Sequence, residues 1–339
     1  MKRLSLCMLL ALPVVLFLAG CGPKMPEYKK KLFVAAEPVQ GLSFDRYEEV
    51  LFHLDTANFQ QELKSIQQQY RPFLEGDLDD PEAVHYLKRF AVDPFSVTLF
   101  QKVKQAFPNL DDVRTAVEGV YGYFHYYYPE IQLPSQVYTC VSGINPEVPP
   151  VLVYGDALVI SLDWYLDGDA VYEQIGMPQY RSRRTLVDRL ARDLGQQLYE
   201  TYVGKGGKGG GLLDEMIAVG REDFFIEAMC PTMADSVLLG YSSSQMQWVV
   251  DNEGDLWADM VGNQCLYSTD LEVYRTFLMD GPFTNEYSHE APPRLGEYMG
   301  LQIVRSYMSS HDVSLQKLML MDDLQGLFLD SRYKPKKNS

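Results

Sequence analysis

The chain has 339 residues, 46% of them hydrophobic, which suffices for a full core and rules out a disordered chain. Its formal net charge of −16 and sequence pI near 4.7 argue against a nucleic-acid partner, because phosphates would be repelled. Beyond the N-terminus no stretch approaches the roughly 18–20 apolar residues that a membrane span needs. Residues 41–335 therefore read as one globular domain, followed by a short tail, 336–339.

Residues 1–20 read as a targeting segment. Lys2 and Arg3 are basic, Leu4 to Phe17 are apolar, and the run ends in Leu18-Ala19-Gly20-Cys21. This ending resembles the lipobox of bacterial lipoproteins. The other readings are an ordinary secretory signal or a short membrane helix, and the small residues directly before a cysteine speak against both. The resemblance implies cleavage before Cys21 and acyl chains on its sulfur and on the new amino terminus. Several chains together anchor stably where one does not. Losing Lys2 and Arg3 leaves the mature chain at −18. Residues 21–40 then read as a lipidated tether, and the lysines of GPKMPEYKKKL (Gly22 to Leu32) are placed to meet anionic headgroups. Gly22-Pro23 lacks the acidic second residue that retains lipoproteins at the inner membrane in some bacteria. The residues that follow are basic rather than acidic, which favours the periplasmic face of the outer membrane over surface export.

Within the body, LSFDRYEEVLFHL (42–54) reads as a short strand leading to a turn at Leu54-Asp55-Thr56. Thr56 caps a helix that ends near Pro72, and further helices are predicted over 81–90 and 93–106, before Pro108. Asp111 to Tyr128 is a long amphipathic helix ending in YGYFHYYYP. Its aromatic cluster suits either a stacking platform for a sugar or peptide, or core and rim, and His125 reads as a packed histidine. Three strands follow, over 136–143, 151–154 and 157–163, the last two joined by a tight turn at Gly155-Asp156. Asp163, Asp167 and Asp169 surround Gly168. Calcium binding or a solvated loop both suit that spacing, which lacks the twelfth-position Glu of an EF-hand. Arg181, Arg183 and Arg184 suit either an acidic partner or a solvated helix entry.

Two helices then organise the chain, TLVDRLARDLGQQLYETYV (Thr185 to Val203) and LLDEMIAVGREDFFIEAM (Leu212 to Met229). Leu186, Leu190, Leu194 and Leu198 recur every four residues as one apolar stripe. Thr185 with Asp188 reads as a capping box. In the second helix Met216, Ile217, Gly220 and Phe224 form the inner face. The linker Gly204 to Gly211 contains Gly-Lys pairs, but no Ser or Thr follows and no strand precedes, so it is not a phosphate loop. Further helices are expected over 245–260, from Pro292-Pro293 through RLGEYMGLQIVRSYMSS, and over 315–329. Gly296 and Gly300, one turn apart, allow close approach of another element. Cys140, Cys230 and Cys265 suit one disulfide with a thiol left over, or three free thiols. The fold class is α+β, predominantly helical with a small β-sheet.

The paired helices resemble the core of a zincin-type zinc metallopeptidase, whose first helix carries His-Glu-x-x-His and whose second carries an acidic ligand. The matching positions are Arg192, Asp193 and Gln196, with the acidic position near Val219 or Gly220 and Asp223 lining the same place. Arginine has no lone pair to donate and glutamine is a poor zinc ligand. All five histidines lie off the first helix, and His289-Glu290 alone makes a weak site. This reading has no catalytic residue, no metal and no cofactor. It expects Arg192 to pair with Asp193 or Asp223 where metal bonds once stood.

The lipobox, LDTANFQQEL, VYTCVSG, ALVISLDWYLDGD, LLDEMIAVGREDFF, QMQW, LYSTD, GPFT, PPRLGEYMGLQIVRSYM and SRYKP, in this order, resemble the gliding-motility lipoprotein GldB family of the Bacteroidetes. The resemblance implies a cell-envelope lipoprotein needed for gliding, in company with the secretion machinery that exports adhesins. Related proteins also occur in non-motile members of that phylum. The expected role is non-catalytic, through binding of a protein partner. The alternatives are a lipid-anchored zinc-dependent peptidase with a rearranged site, and a chaperone-like carrier for outer-membrane lipoproteins.

Overall fold

The computed structural model describes residues 25–168, 170–204, 210–284 and 286–335. Cys21, Asp169 and most of the glycine-lysine linker lie outside the described residues. The chain enters as α1 (Glu27–Leu32), and β1 (Ser43–Arg46) follows. Six helices come next: α2 (Tyr47–Leu51), α3 (Phe59–Ile66), α4 (Arg71–Leu74), α5 (Pro81–Val92), α6 (Pro94–Ala106) and α7 (Asp111–Tyr127). The strands β2 (Gln136–Cys140), β3 (Val151–Tyr154) and β4 (Ala157–Ser161) complete one sheet of order β1-β2-β4-β3. β1 and β4 run parallel to β2, with Ser43 opposite Gln136 and Gln136 opposite Ala157. β3 and β4 form the expected hairpin, turning at Gly155, whose φ of +61° suits glycine.

Side chains that alternate along a strand separate the sheet's two faces. Val137, Leu158 and Ile160 join the main core, while Tyr138, Cys140, Ala157 and Val159 join a smaller core with Leu51, Leu63 and Leu74 from the α2–α5 lobe. After the sheet come two short helices, α8 (Val171–Gln174) and α9 (Gln179–Ser182), then α10 (Leu190–Leu198) and α11 (Leu212–Met229). The rest is α12 (Asp235–Leu239), α13 (Ser243–Gly262), α14 (Leu271–Leu278), α15 (Leu295–Ser310), α16 (Leu315–Met319) and α17 (Leu324–Ser331). The molecule is therefore α+β and mostly helical, as expected.

α11 and α15 cross backbone to backbone. A Cβ on Gly300 would lie 1.7 Å from the Met216 carbonyl oxygen, and one on Gly220 would lie 2.2 Å from the Gly300 carbonyl carbon. Gly296 and Gly300 do admit a neighbour, and the neighbour is α11.

Several local expectations need correction. Thr185 caps nothing: its hydroxyl donates to the Ser182 carbonyl, and it is buried. The helix starts as a 3₁₀ turn at Val187, whose N–H donates to Asp167 Oδ1 at 3.0 Å, so the cap comes from a distant loop. Leu186 drops out of the stripe and is exposed, while Leu190, Leu194 and Leu198 are buried. The helix ends in a π turn, Tyr199–Val203. The tether expected over 21–40 is packed over its second part. Leu32 is buried, Tyr28 meets Phe224 with ring centroids 6.1 Å apart, and Lys31 donates to the Met308 and His311 carbonyls at 2.8 and 2.7 Å. The α7 aromatics are mainly core. Phe124 stacks on Tyr128 and meets Phe225, while His125, expected to pack, is exposed. Cys140, Cys230 and Cys265 are free thiols.

Candidate functional site

The candidate site lies where α10, α11 and the start of α15 meet the end of α12. Gly195 lets α10 close on α11, since a Cβ there would sit 3.3 Å from Ile226. This brings Arg192, Asp193, Gln196 and Asp223 together.

Their bonding differs from a simple charge pair. Arg192 Nη1 donates to Gln196 Oε1, and its Nε donates to the Leu238 carbonyl at 3.4 Å. Asp193 Oδ1 is 3.5 Å from Arg192 and 3.7 Å from Arg189, while Asp223 Oδ1 is 4.0 Å from Arg192. These are charge contacts rather than forked hydrogen bonds. Asp193 also accepts from the Tyr165 hydroxyl at 3.0 Å, and Gln196 donates to Glu200 at 2.9 Å.

The last carbonyls of a helix lack intrahelical partners and attract cations. In α12 three arginines from two other elements supply that need. Arg189 donates to Val237 O at 2.6 Å, Arg192 to Leu238 O, and Arg294 to Leu239 O. Gly240 follows at φ +67°, and a Cβ there would meet Arg184 and Arg189 at 2.9 and 3.0 Å.

Arg294 and Glu297 belong to this site and were missed by sequence reasoning. Arg294 precedes α15 at φ +56°, a left-handed conformation that costs a non-glycine residue about 1–3 kcal/mol. Its surroundings hold it there. Its Nη1 donates to Glu297 at 2.5 Å, its guanidinium lies 5.9 Å from the Tyr241 ring, and the Tyr241 hydroxyl donates to the Pro293 carbonyl at 2.8 Å. Asp280 adds a charge contact to Arg294 at 3.5 Å and accepts from Arg184 at 2.8 Å. The only sequence signal was the PPRLGEY run.

Burial favours the protonated form of two acids here. Burial, and then the nearby Glu297 carboxylate, push Asp223 well above the usual carboxylate range against the pull of Arg192. Glu297 pairs with Arg294 at 2.5 Å. Asp223 Oδ2 and Glu297 Oε1 have no hydrogen-bond partner among the described residues. Burial raises Glu222 to about 7, with Glu200 and Glu297 adding to it and Arg192 opposing.

The acidic-ligand position of a peptidase has no room for a side chain at Gly220, because α15 occupies the space. His289 packs on Phe283 with ring centroids 4.3 Å apart. Among the described residues no three His, Cys, Asp or Glu side chains form a metal-holding group. Two of the three aspartates considered for calcium are already engaged: Asp163 is buried and accepts from the backbone N–H groups of Ser142 and Ile144, and Asp167 accepts from Val187. Of the three clustered arginines, Arg181 and Arg184 face Asp280. A depression of about 770 Å³ lies nearby, between α7, Ala191 and Met229–Ala234, and Arg192, Asp193, Gln196 and Asp223 do not line it.

Neither a curated protein nor a solved structure matches the chain. The family model described as gliding motility protein GldB matches residues 29–335, from the middle of α1 to the residues after α17. A match of that extent takes in every element that builds the arginine-capped site, and the chain belongs to the gliding motility protein GldB family.

Proposed function

We propose that this protein is a non-catalytic lipoprotein of the cell envelope that serves gliding motility and its associated secretion machinery by binding a protein partner. The observation that carries the reading is that Arg192, at a position the resemblance matches to a zincin ligand, donates to Gln196 and to the Leu238 carbonyl, beside Arg189 and Arg294, which cap the same helix α12. Guanidinium groups donate hydrogen bonds and cannot coordinate a cation. The acids among them face arginines or are pushed by burial toward the protonated form, an arrangement suited to recognition and to support of the helix packing. The anchor in this reading is lipid on Cys21, with the body at the periplasmic face of the outer membrane.

Metal analysis of the purified protein tests the non-catalytic part. The expected result is no zinc after dialysis, and stoichiometric zinc that survives dialysis overturns it in favour of a lipid-anchored peptidase. The peptidase reading has one observation in its favour, the pair Glu222 and Asp223, pushed by burial toward the protonated form, a state suited to a general acid. Replacing Cys21→Ala is expected to move the protein from the membrane to the soluble fraction. Continued membrane association would mean that lipid on this cysteine is not the anchor.

A further inference from the structure

We propose that the groove between α13 and the loop before α15 binds a carbohydrate, with a pyranose ring of an oligosaccharide lying on Trp248. Three features of the sequence that the arginine-capped site leaves unused meet there: the QMQW run, Arg183 of the arginine cluster, and His289-Glu290. α13 supplies one wall. Ser244, Gln247, Trp248, Asp251 and Asn252 follow the spacing of a single helix face. Val249, Leu256 and Met260, on the opposite face, are in the core. Arg183, Pro282, His289 and Glu290 form the other wall, and the depression between the two measures about 530 Å³. That lies within the roughly 300–1,000 Å³ usual for small-ligand sites.

The walls are joined to one another. Gln245 N–H donates to Ser242 Oγ at 3.2 Å, and Ser242 N–H donates to Gln245 Oε1 at 3.0 Å, a capping box that fixes the first turn of α13. The same Gln245 side chain donates to the Pro282 carbonyl at 3.3 Å and so ties the facing loop to the helix. Trp248 is half-buried and meets Tyr287 with ring centroids 6.4 Å apart, while the Tyr287 hydroxyl donates to Asp259 at 2.6 Å. Asn252 donates to the Trp248 carbonyl and Gln247 to Asp251, both at 2.8 Å. A ring held in this way costs little further ordering when a ligand stacks on it.

The balance of groups selects the ligand class. An indole face is electron-rich and attracts the C–H bonds on the apolar side of a sugar ring. The amide, hydroxyl, carboxylate and guanidinium groups around it mix donors with acceptors, as a ring of hydroxyls requires. Asp251 and Glu290 oppose an anion, and Arg183 opposes a cation. A lipid or an apolar peptide would find only Trp248 and Pro282 to cover. The inference does not depend on the proposed protein partner.

The purified protein, isotope-labelled at the indole nitrogens, tests it by nuclear magnetic resonance. Its three tryptophans give three indole N–H signals, and Trp248→Phe identifies the one that matters. Maltotriose and triacetylchitotriose are each titrated to about 20 mM, where even a millimolar dissociation constant saturates. The Trp248 signal is expected to shift and saturate with at least one of them, while those of Trp164 and Trp257 stay. Sorbitol, which has hydroxyls but no ring, and trialanine are expected to move none of the three. Arg183→Ala and Asp251→Asn, at exposed positions, leave the indole in place as the reporter. Either is expected to weaken binding about three- to tenfold with an unchanged melting profile, and Tyr86→Ala on α5 is expected to leave it intact. No shift with either trisaccharide, or a shift confined to Trp164 or Trp257, overturns the proposal. An equal shift with sorbitol, or full affinity in both groove variants, does the same. A shift with trialanine instead would make the groove a peptide site and overturn it too.

Discussion

Glu222 and Asp223 are neighbours on α11, and burial pushes both carboxyls above the range of exposed ones. For Glu222 the consequence can be signed. Its folded pKa is about 7 against an ordinary 4.5, with burial as the leading cause. Below the ordinary value both folded and unfolded chains bind the proton. Between that value and about 7 the unfolded chain releases it and the folded chain does not, so stability falls as pH rises. Above about 7 the loss is complete. Glu222→Gln keeps the shape without the ionisation. The variant should match the parent near pH 4 and gain about 1–3 kcal/mol over it near pH 8, read from urea denaturation across the range. A gap that does not change with pH would show that Glu222 titrates normally. The nearness of Arg192 to Gln196 was legible, because helical spacing puts positions four apart on one face, whereas Asp223 on α11 was placed beside them only by the metallopeptidase resemblance. Arg294 and Glu297 were not legible. Their place depends on a left-handed residue held by Tyr241 and by the α12 carbonyls, which is tertiary information.

At the scale of elements, the contact between α11 and α15 is the most exacting in the molecule. No rotamer relieves a clash between a Cβ and a backbone carbonyl. Gly300→Ala should therefore cost about 3 kcal/mol or more and lower the melting temperature clearly. Gly119→Ala on α7 is the matched comparison, since its Cβ would meet nothing within 4 Å. There alanine should stabilise by about 0.5–1 kcal/mol, because glycine is the poorer helix former. Similar losses in the two variants would remove the argument for close crossing. The strands were legible from alternation, and Gly296 with Gly300 announced a crossing without naming the partner. Helix ends were harder. The run after Thr56 divides into α3 and α4 because Pro72 has no N–H to give the preceding turn, and Gln67 donates instead to the Leu74 and Gly76 carbonyls. The closing helix divides because Asp323 accepts from Gly326 N–H and starts α17 afresh. Capping by a residue far along the chain, such as Asp167 on Val187, leaves no local pattern to read.

For the whole molecule, the question is how far the body stands from whatever holds its N-terminus. Composition suggested a free tether, because KKK beside Pro and Glu looks like solvated chain. The amphipathic contribution is only two residues, Tyr28 and Leu32, too few to register as a periodic pattern, yet both meet the core through α1. If Cys21 is the anchor as proposed, docking replaces a tether of about twenty residues by one of four, and shortens its greatest reach from about 70 Å to about 14 Å. Tyr28→Ala with Leu32→Ala should release α1. Loss of the buried leucine alone should cost about 2–5 kcal/mol. The body should stay folded by far-UV circular dichroism, because α11 and α15 keep their own contact. On vesicles carrying the protein with the proposed lipid on Cys21, energy transfer from a dye on α5 to a headgroup dye should then fall, as the body moves outward. Unchanged transfer with the helix content intact would mean that α1 does not set the distance. In that case the distance between the proposed anchor and the body would be set by some contact other than those of Tyr28 and Leu32.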